Sequence, residues 1–350
     1  MIPKIRLFSQ QIIEPKFEHP QDLVHWMGAI QAQDYPMAKW AVATRLKSKS
    51  LISINQAIDE AKIVRTHILR PTWHFVSSED IYWMIELSKA RLIAINNSMA
   101  RALDITEEEY TKANKFFEKR LRDNQYLTKQ EIRKEVEAFG IQLNENRLNR
   151  FLIRAEVEGI ICSGANKAGK STYGLLAERV PYQKSILREE ALARLCKFYF
   201  RSHSPATLED FIWWSGLSTT EARKAVDSIK ADLIEESING KCFFIYKDYK
   251  MINNTAAAEQ LTLLAPFDEY LISYKDRSDV LSMKDYPKAF TRYGIFFPVI
   301  LHNGKVIGNW KRATEKRKMN IECSFFDERN TPPKELLESV IKESLIGLQS

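Results

Sequence analysis

LTKQEIRKEVEAFG at 127–140 and LNENRLNRFLIRAEVEG at 143–159 lead into IICSG, GANKAGK and STYGLL, ending at Leu176. This stretch decides the fold. Thr128 is placed as a helix N-cap, Glu131 three residues on is its capping-box partner, and Gly140 is a stop. In the second segment Leu148, Phe151, Leu152 and Ala155 recur at helical spacing, and Gly159 ends the run. IICSG and STYGLL read as strands joined by a turn. Two helices and then a hairpin are the plan of a winged helix-turn-helix.

The turn carries a second pattern. Gly164, Gly169, Lys170 and Ser171 fit the phosphate-loop spacing G-x-x-x-x-G-K-S. A phosphate loop needs a helix immediately afterwards, because backbone N–H groups at a helix N-terminus hold the anion. After Ser171 come Thr172, Tyr173, Gly174, Leu175 and Leu176, then Pro181, which is strand-like and then broken. A wing tip is the better reading, and no nucleotide cofactor is expected. Lys167 and Lys170 then either touch a phosphate backbone or simply solvate an exposed turn.

The same plan recurs at 184–254. HSPATLEDFIWWSG reads as a helix stopped by Gly216, and Ser218 with Glu221 makes another capping box. DLIEESINGKCFFIY reads as a hairpin turning at Asn239-Gly240. Residues 1–100 offer a third copy. HPQDLVHWMGAIQAQ, PMAKWAVATRL and SINQAIDEAKIV read as helices and PTWHFVS as a strand. A long helix follows over SSEDIYWMIELSKARLIAINNSM, with Ser78 as its cap. After 254 the pattern turns β-rich, with Asn303-Gly304 marking a hairpin and PPKELLESVIKESLIGL a closing helix. The expected class is α+β: three tandem winged helix-turn-helix domains (1–100, 101–183, 184–254), then a small barrel-like β domain with a terminal helix (255–350).

Composition sets the outer bounds. The chain has 350 residues, 45% hydrophobic and 28% charged, as an ordinary soluble protein does. No apolar run approaches the roughly 20 residues of a membrane span. Cys162, Cys196, Cys242 and Cys323 are far apart and form no C-x-x-C pair, so neither a disulfide framework nor a zinc knuckle is suggested. A cytoplasmic setting is expected. The net charge of +7 favours a polyanionic partner.

Five stretches carry a resemblance: IQAQDYPMAKWAVATRL (30–46), RTHILRPTWHF (65–75), SPATLEDFIWWSGL (204–217), LLAPFDEYLISYKDRS (263–278) and FFPVILHNGKVIGNWKR (296–312). Together they resemble the winged-helix DNA glycosylases of the AlkZ type. That family's catalytic signature is a glutamine, an apolar residue and a second glutamine, and it corresponds here to Gln31, Ala32 and Gln33. The resemblance implies hydrolysis of the N-glycosidic bond of an alkylated purine, including purines tied into interstrand crosslinks. The implied partner is double-stranded DNA carrying such a purine. A monomer without cofactor is expected.

The implied chemistry suits mild residues. A purine alkylated at N7 or N3 is already cationic and leaves readily. The enzyme must hold a water in line with the anomeric carbon, and positioning supplies up to roughly 7–11 kcal/mol in the best cases. Two neutral amides offer complementary donors and acceptors to one water. Residues two apart do not share a helix face. The motif is therefore expected at a helix C-terminus or in the loop beyond it, with Pro36 biasing Tyr35 away from helical angles. Read from the residues alone, two glutamines on the polar side of a helix are the simpler account.

Further candidates follow, each beside a plainer reading. Asp34 is a base or charge stabiliser, or a turn residue. Asp268 and Glu269 form a second carboxylate pair; Asp268 matches a recurrent family position, and a salt bridge to Arg277 or a buried turn is the plainer expectation. His67 and His74, with Arg65, Arg70 and Thr72, form a polar cluster and are candidates to contact phosphate or a flipped base, with an interior hydrogen-bonding histidine the plainer reading of His74. No three-ligand metal spacing appears among the six histidines. For DNA, the candidates are Arg70, His74, Arg147, Arg150, Arg154, Lys167, Lys170, Arg223, Lys224, Lys311, Arg312, Lys316, Arg317 and Lys318. Any one of the basic residues taken singly is more often a solvated surface charge. Trp213 and Trp214 read as core. The competing function is a non-enzymatic winged-helix regulator, which would bind a preferred operator.

Overall fold

The computed structural model describes residues 1–249, 259–315 and 318–349. The expected boundary at 254/255 lies outside these residues, as do Lys316, Arg317 and the side chain of Lys318. The chain forms two compact units, Asn55–Ala191 and Met1–Ile54 with Leu192–Ser350. These cuts divide residues 1–100 between the two units.

The Asn55–Ala191 unit contains the deciding stretch. Lys129–Ala138 is a helix whose Thr128 cap and Glu131 form both bonds of the capping box. Glu145–Val157 follows, capped by Asn144, whose side chain accepts from Arg147 N–H at 2.9 Å. Ile161–Ser163 and Thr172–Leu175 pair antiparallel, and Leu127–Thr128 adds a third strand. The helices pack through Phe116, Phe117, Ile132, Leu148, Phe151 and Leu152, all 2% exposed or less. Truncating Phe151 in such a core costs about 3–5 kcal/mol.

Elsewhere in this unit Ile63–His67 pairs with Trp73–Ser77, and the long helix runs Ile81–Ala100. Two expectations change here. Ile63 and Val64 belong to a strand rather than to the preceding helix. Asp80, not Ser78, occupies the N-cap position of the long helix.

The other unit contains two antiparallel sheets. Leu233–Ile238 and Lys241–Tyr246 form the expected hairpin over Asn239-Gly240. Four more strands make one antiparallel sheet in the order Lys318–Phe325, Lys305–Glu315, Val299–His302, Leu261–Leu264. Among the described residues this sheet has two end strands, so it is open rather than a closed barrel. Its turn at Asn303-Gly304 has φ of 48° and 76°. A Cβ on Gly304 would lie 2.7 Å from Pro3 Cβ, so both the turn and the close approach demand glycine. Trp40 and Trp310 donate to the carbonyls of Leu263 and Leu264 at 2.8 and 2.7 Å, fastening the Leu261–Leu264 strand.

Helices flank these strands. Thr207 caps Leu208–Ser215, which Gly216 stops as expected. Ser218 caps Thr219–Ser228, and Lys334–Gln349 closes the chain. Trp214 is fully buried, as expected, but Trp213 is 44% exposed. The Trp213 Nε1 nonetheless has a protein partner, donating to Ile272 O at 2.8 Å.

Candidate active site

The segment around Gln31 is held from both sides. The helix before it, Pro20–Met27, stops well short of the helical run expected as far as Gln33. Gly28 is the cause. Its φ is +77°, and a Cβ there would meet Phe198 at 3.0 Å. Arg201 donates to the carbonyls of His25 and Trp26 at 2.8 and 3.2 Å, placing a cation on the helix C-terminus.

Beyond Gly28 the chain is extended at Ile30–Gln31 and bends at Gln33. The next helix is Tyr35–Ala43. Pro36 starts this helix rather than keeping Tyr35 out of it, since proline is well tolerated in a first turn. The motif thus lies between two helix ends. Ala29, Ile30 and Ala32 are at most 1% exposed, Gln31 is 4% exposed, and Gln33 is exposed. Asp34 is the N-cap of the second helix, and its carboxylate accepts from Met37 N–H at 3.1 Å.

Below Gln31 lies a buried polar cluster. The Gln31 backbone N–H donates to Glu269 Oε1 at 2.6 Å. Glu269 also accepts from Trp214 Nε1 at 3.2 Å and from the Ser273 hydroxyl. His203 Nε2 stands 3.6 Å from the same carboxylate, beyond a hydrogen bond. Burial pushes His203 below the ordinary histidine pKa, with Glu269 pulling it back up. Asp268 pairs with Arg45, not with Arg277, whose Nε instead donates to Leu271 O at 2.7 Å. Sequence proximity suggests Arg277; the fold brings Arg45 from 223 residues away. Glu269 is visible in the sequence only as half of a carboxylate pair, since nothing local marks it as the residue that meets Gln31.

The other candidates separate by environment. His74 is fully buried, with Nδ1 3.0 Å from Thr72 O, and Arg70 sits half-buried in the same turn. His67 is 2% exposed and pairs with Glu156, which also accepts from Trp73 Nε1 at 3.2 Å. Arg147 pairs with Glu109, and Arg154 with Glu107 and Glu158 at 2.7 and 2.5 Å. Arg150 reaches Met99 Sδ at 3.1 Å, and burial lowers its pKa. The helical spacing of these three arginines therefore puts them against neighbouring helices. Arg65 lies over the Trp73 ring at 4.3 Å.

Lys170, Arg223, Lys224 and Arg312 are exposed. Lys167 pairs with Glu131 at 2.6 Å, and Lys311 with Glu322 at 2.8 Å, both lysines remaining more than half exposed. Lys167 and Lys170 exchange two backbone hydrogen bonds of 3.0 Å across Ala168-Gly169, a tight hairpin turn. Ser171 then leads into the Thr172–Leu175 strand. The phosphate-loop pattern has no helix N-terminus behind it.

Among the described residues no cluster of three or more His, Cys, Asp or Glu has metal-binding geometry. No helix there is long and apolar enough to cross a membrane. All four cysteines are free.

Known proteins share this plan. The chain is similar to an interstrand DNA cross-link repair glycosylase of Streptomyces sahachiroi, 24% identical over 339 residues, covering 93% of this chain and 90% of that protein. The solved structure of the DNA glycosylase AlkZ from the same organism superposes with a TM-score of 0.79 at 21% identity, covering 99% of this chain and 95% of the other. Residues 24–338 match the family model described as DNA glycosylase AlkZ-like. With nine-tenths of its length inside that match, the chain belongs to the AlkZ-like DNA glycosylase family.

Proposed function

We propose that this chain is a monofunctional DNA glycosylase that hydrolyses the N-glycosidic bond of purines made cationic by alkylation at N7 or N3. Gln31 and Gln33 hold the attacking water, and the cationic base departs without needing a strong acid. The observation that carries this reading is the seat of the motif: a short extended segment pinned between two helix ends, with Gln31 anchored through its backbone and Gln33 exposed. Preorganisation of this kind is what a water-positioning site requires.

Asp34 is half-buried and beside the motif, but its helix-capping bond assigns it first to holding the segment in place. The helix–helix–hairpin segments at 107–175 and 208–246 act in this proposal as winged helices on duplex DNA. Lys170, Lys224, Lys311 and Arg312 are the favoured phosphate contacts, with Lys167 beside them. By likeness to the cross-link repair glycosylase, interstrand crosslinks are a proposed second substrate, and a monomer working in the cytoplasm is the proposed setting.

The test is release of N7-methylguanine from a defined duplex by wild type and by Gln31→Ala/Gln33→Ala. Base release by wild type alone, with DNA affinity equal in both, supports the water-positioning role. Equal release by both sinks it. If neither releases base, a nitrogen-mustard crosslinked duplex replaces the substrate, and failure there ends the glycosylase proposal.

A further inference from the structure

We infer that Glu269 is a positioning residue for the glutamine motif, acting on it through the Gln31 peptide. This rests on the reading of Gln31 and Gln33 as the water-holding pair.

Three observations carry it. First, Glu269 is fully buried, and its Oε1 takes the Gln31 backbone N–H at 2.6 Å, a short bond of the charge-assisted kind. Second, the carboxylate is itself aimed. Trp214 Nε1 and the Ser273 hydroxyl donate to its other oxygen, and Asp268, clamped by Arg45, caps the helix on which Glu269 is the first residue. Third, Gln31 is half of a strand only two residues long, so each bond that fixes its backbone bears on where its side chain lies.

A buried carboxylate is costly to desolvate, and apolar side chains of similar volume often serve packing as well. What the charge adds here is a fixed grip on one peptide. The Gln31 side chain leaves the same residue, so a rotation of that peptide carries its amide with it. Water positioning is intolerant of such shifts: about 1 Å of misplacement costs on the order of 10²-fold in rate.

The experiment measures single-turnover base release at saturating enzyme, DNA affinity and thermal midpoint for wild type, Glu269→Gln and Glu269→Asp. The substrate is the N7-methylguanine duplex, or the crosslinked duplex if wild type acts only on that. Glu269→Gln replaces one acceptor oxygen with a donor amide facing Trp214 and Ser273. Glu269→Asp keeps the charge and withdraws it from Gln31. Thr106→Ala, which removes a helix cap in the other unit, is the control for lowered stability alone.

The expected result is a rate about 10–100-fold lower in whichever of the two variants folds, with DNA affinity within about twofold of wild type. Thr106→Ala keeps the wild-type rate. Wild-type rates in a folded Glu269 variant overturn the inference, as does a rate loss matched by an equal loss of DNA affinity. Gln31→Ala/Gln33→Ala in the same assay separates the two failures. If it retains full activity, the motif reading fails and the inference with it. If it is inactive while the Glu269 variants are normal, only the inference fails.

Discussion

Arg45 and Asp268, 223 residues apart in the chain, close a two-pronged ion pair at 2.9 and 2.6 Å with neither side chain more than 1% exposed. Arg45 also reaches Ala41 O at 2.8 Å and Gln10 Oε1 at 2.9 Å. Burial opposes the guanidinium charge, but Asp268, together with Glu269 and Tyr274, holds Arg45 above its ordinary pKa. Asp268 in turn caps the short helix that begins with Glu269.

Removing one partner leaves a buried charge alone. Asp268→Ala is therefore expected to lower stability by about 3–5 kcal/mol, a large share of a typical 5–15 kcal/mol. Chemical denaturation checks this. A decrease under about 1 kcal/mol would mean the pair is not formed as described.

Acid should weaken the same region through His203. Its folded pKa lies below the ordinary value, because burial disfavours the charged ring. The unfolded chain then takes up this proton first as pH falls. The contribution is intact above about pH 6.5, the unfolded value, and is lost as pH falls through the lower folded value. Thermal midpoints measured across this range, from neutral to mildly acidic pH, should fall less steeply in His203→Gln than in wild type.

The basic residues should divide into two groups by salt dependence. Alanine at Lys170, Lys224 or Arg312, all exposed, is expected to reduce the slope of log affinity against log salt by about 0.9 for each phosphate left without its cation. Arg154→Ala should leave that slope alone and lower the thermal midpoint, since Arg154 is 8% exposed and bound to Glu107 and Glu158. Fluorescence anisotropy across a salt series distinguishes them.

Thiol reactivity gives an independent check on packing. Burial pushes the Cys162 thiol up to about 12 and Cys196 well above its ordinary value, whereas Cys242 is exposed. A thiol-specific chromophore should label Cys242 first. Cys162 and Cys196 should react only as the protein unfolds.

Lys170→Ala should not alter nucleotide binding, because wild type is expected to show none. Calorimetry with ATP and magnesium checks the wild type directly.

Much of the local chemistry was legible where neighbours in sequence are neighbours in space, although the cap at Asp80 rather than Ser78 and the entry of Tyr35 into its helix were misread. Thr128 with Glu131, Ser218 with Glu221, and the turns at Asn239-Gly240 and Asn303-Gly304 each carry their own geometry within four residues. The glutamine motif was likewise visible as a pattern. Its exit from the preceding helix was readable in outline and Gly28 is a local stop, while the Phe198 ring that leaves no room for a side chain at Gly28 comes from 170 residues further on.

What tertiary structure decided is which charges are already engaged. Arg147, Arg150 and Arg154 have the spacing of a DNA-facing row, yet carboxylates and Met99 on adjacent helices take them up. Asp268 found Arg45 rather than nearby Arg277, and Glu269 found the Gln31 peptide. Periodicity and capping are short-range and are written in the residues themselves. A buried ion must be paired by whatever the fold delivers to it, and no local pattern states which partner that is.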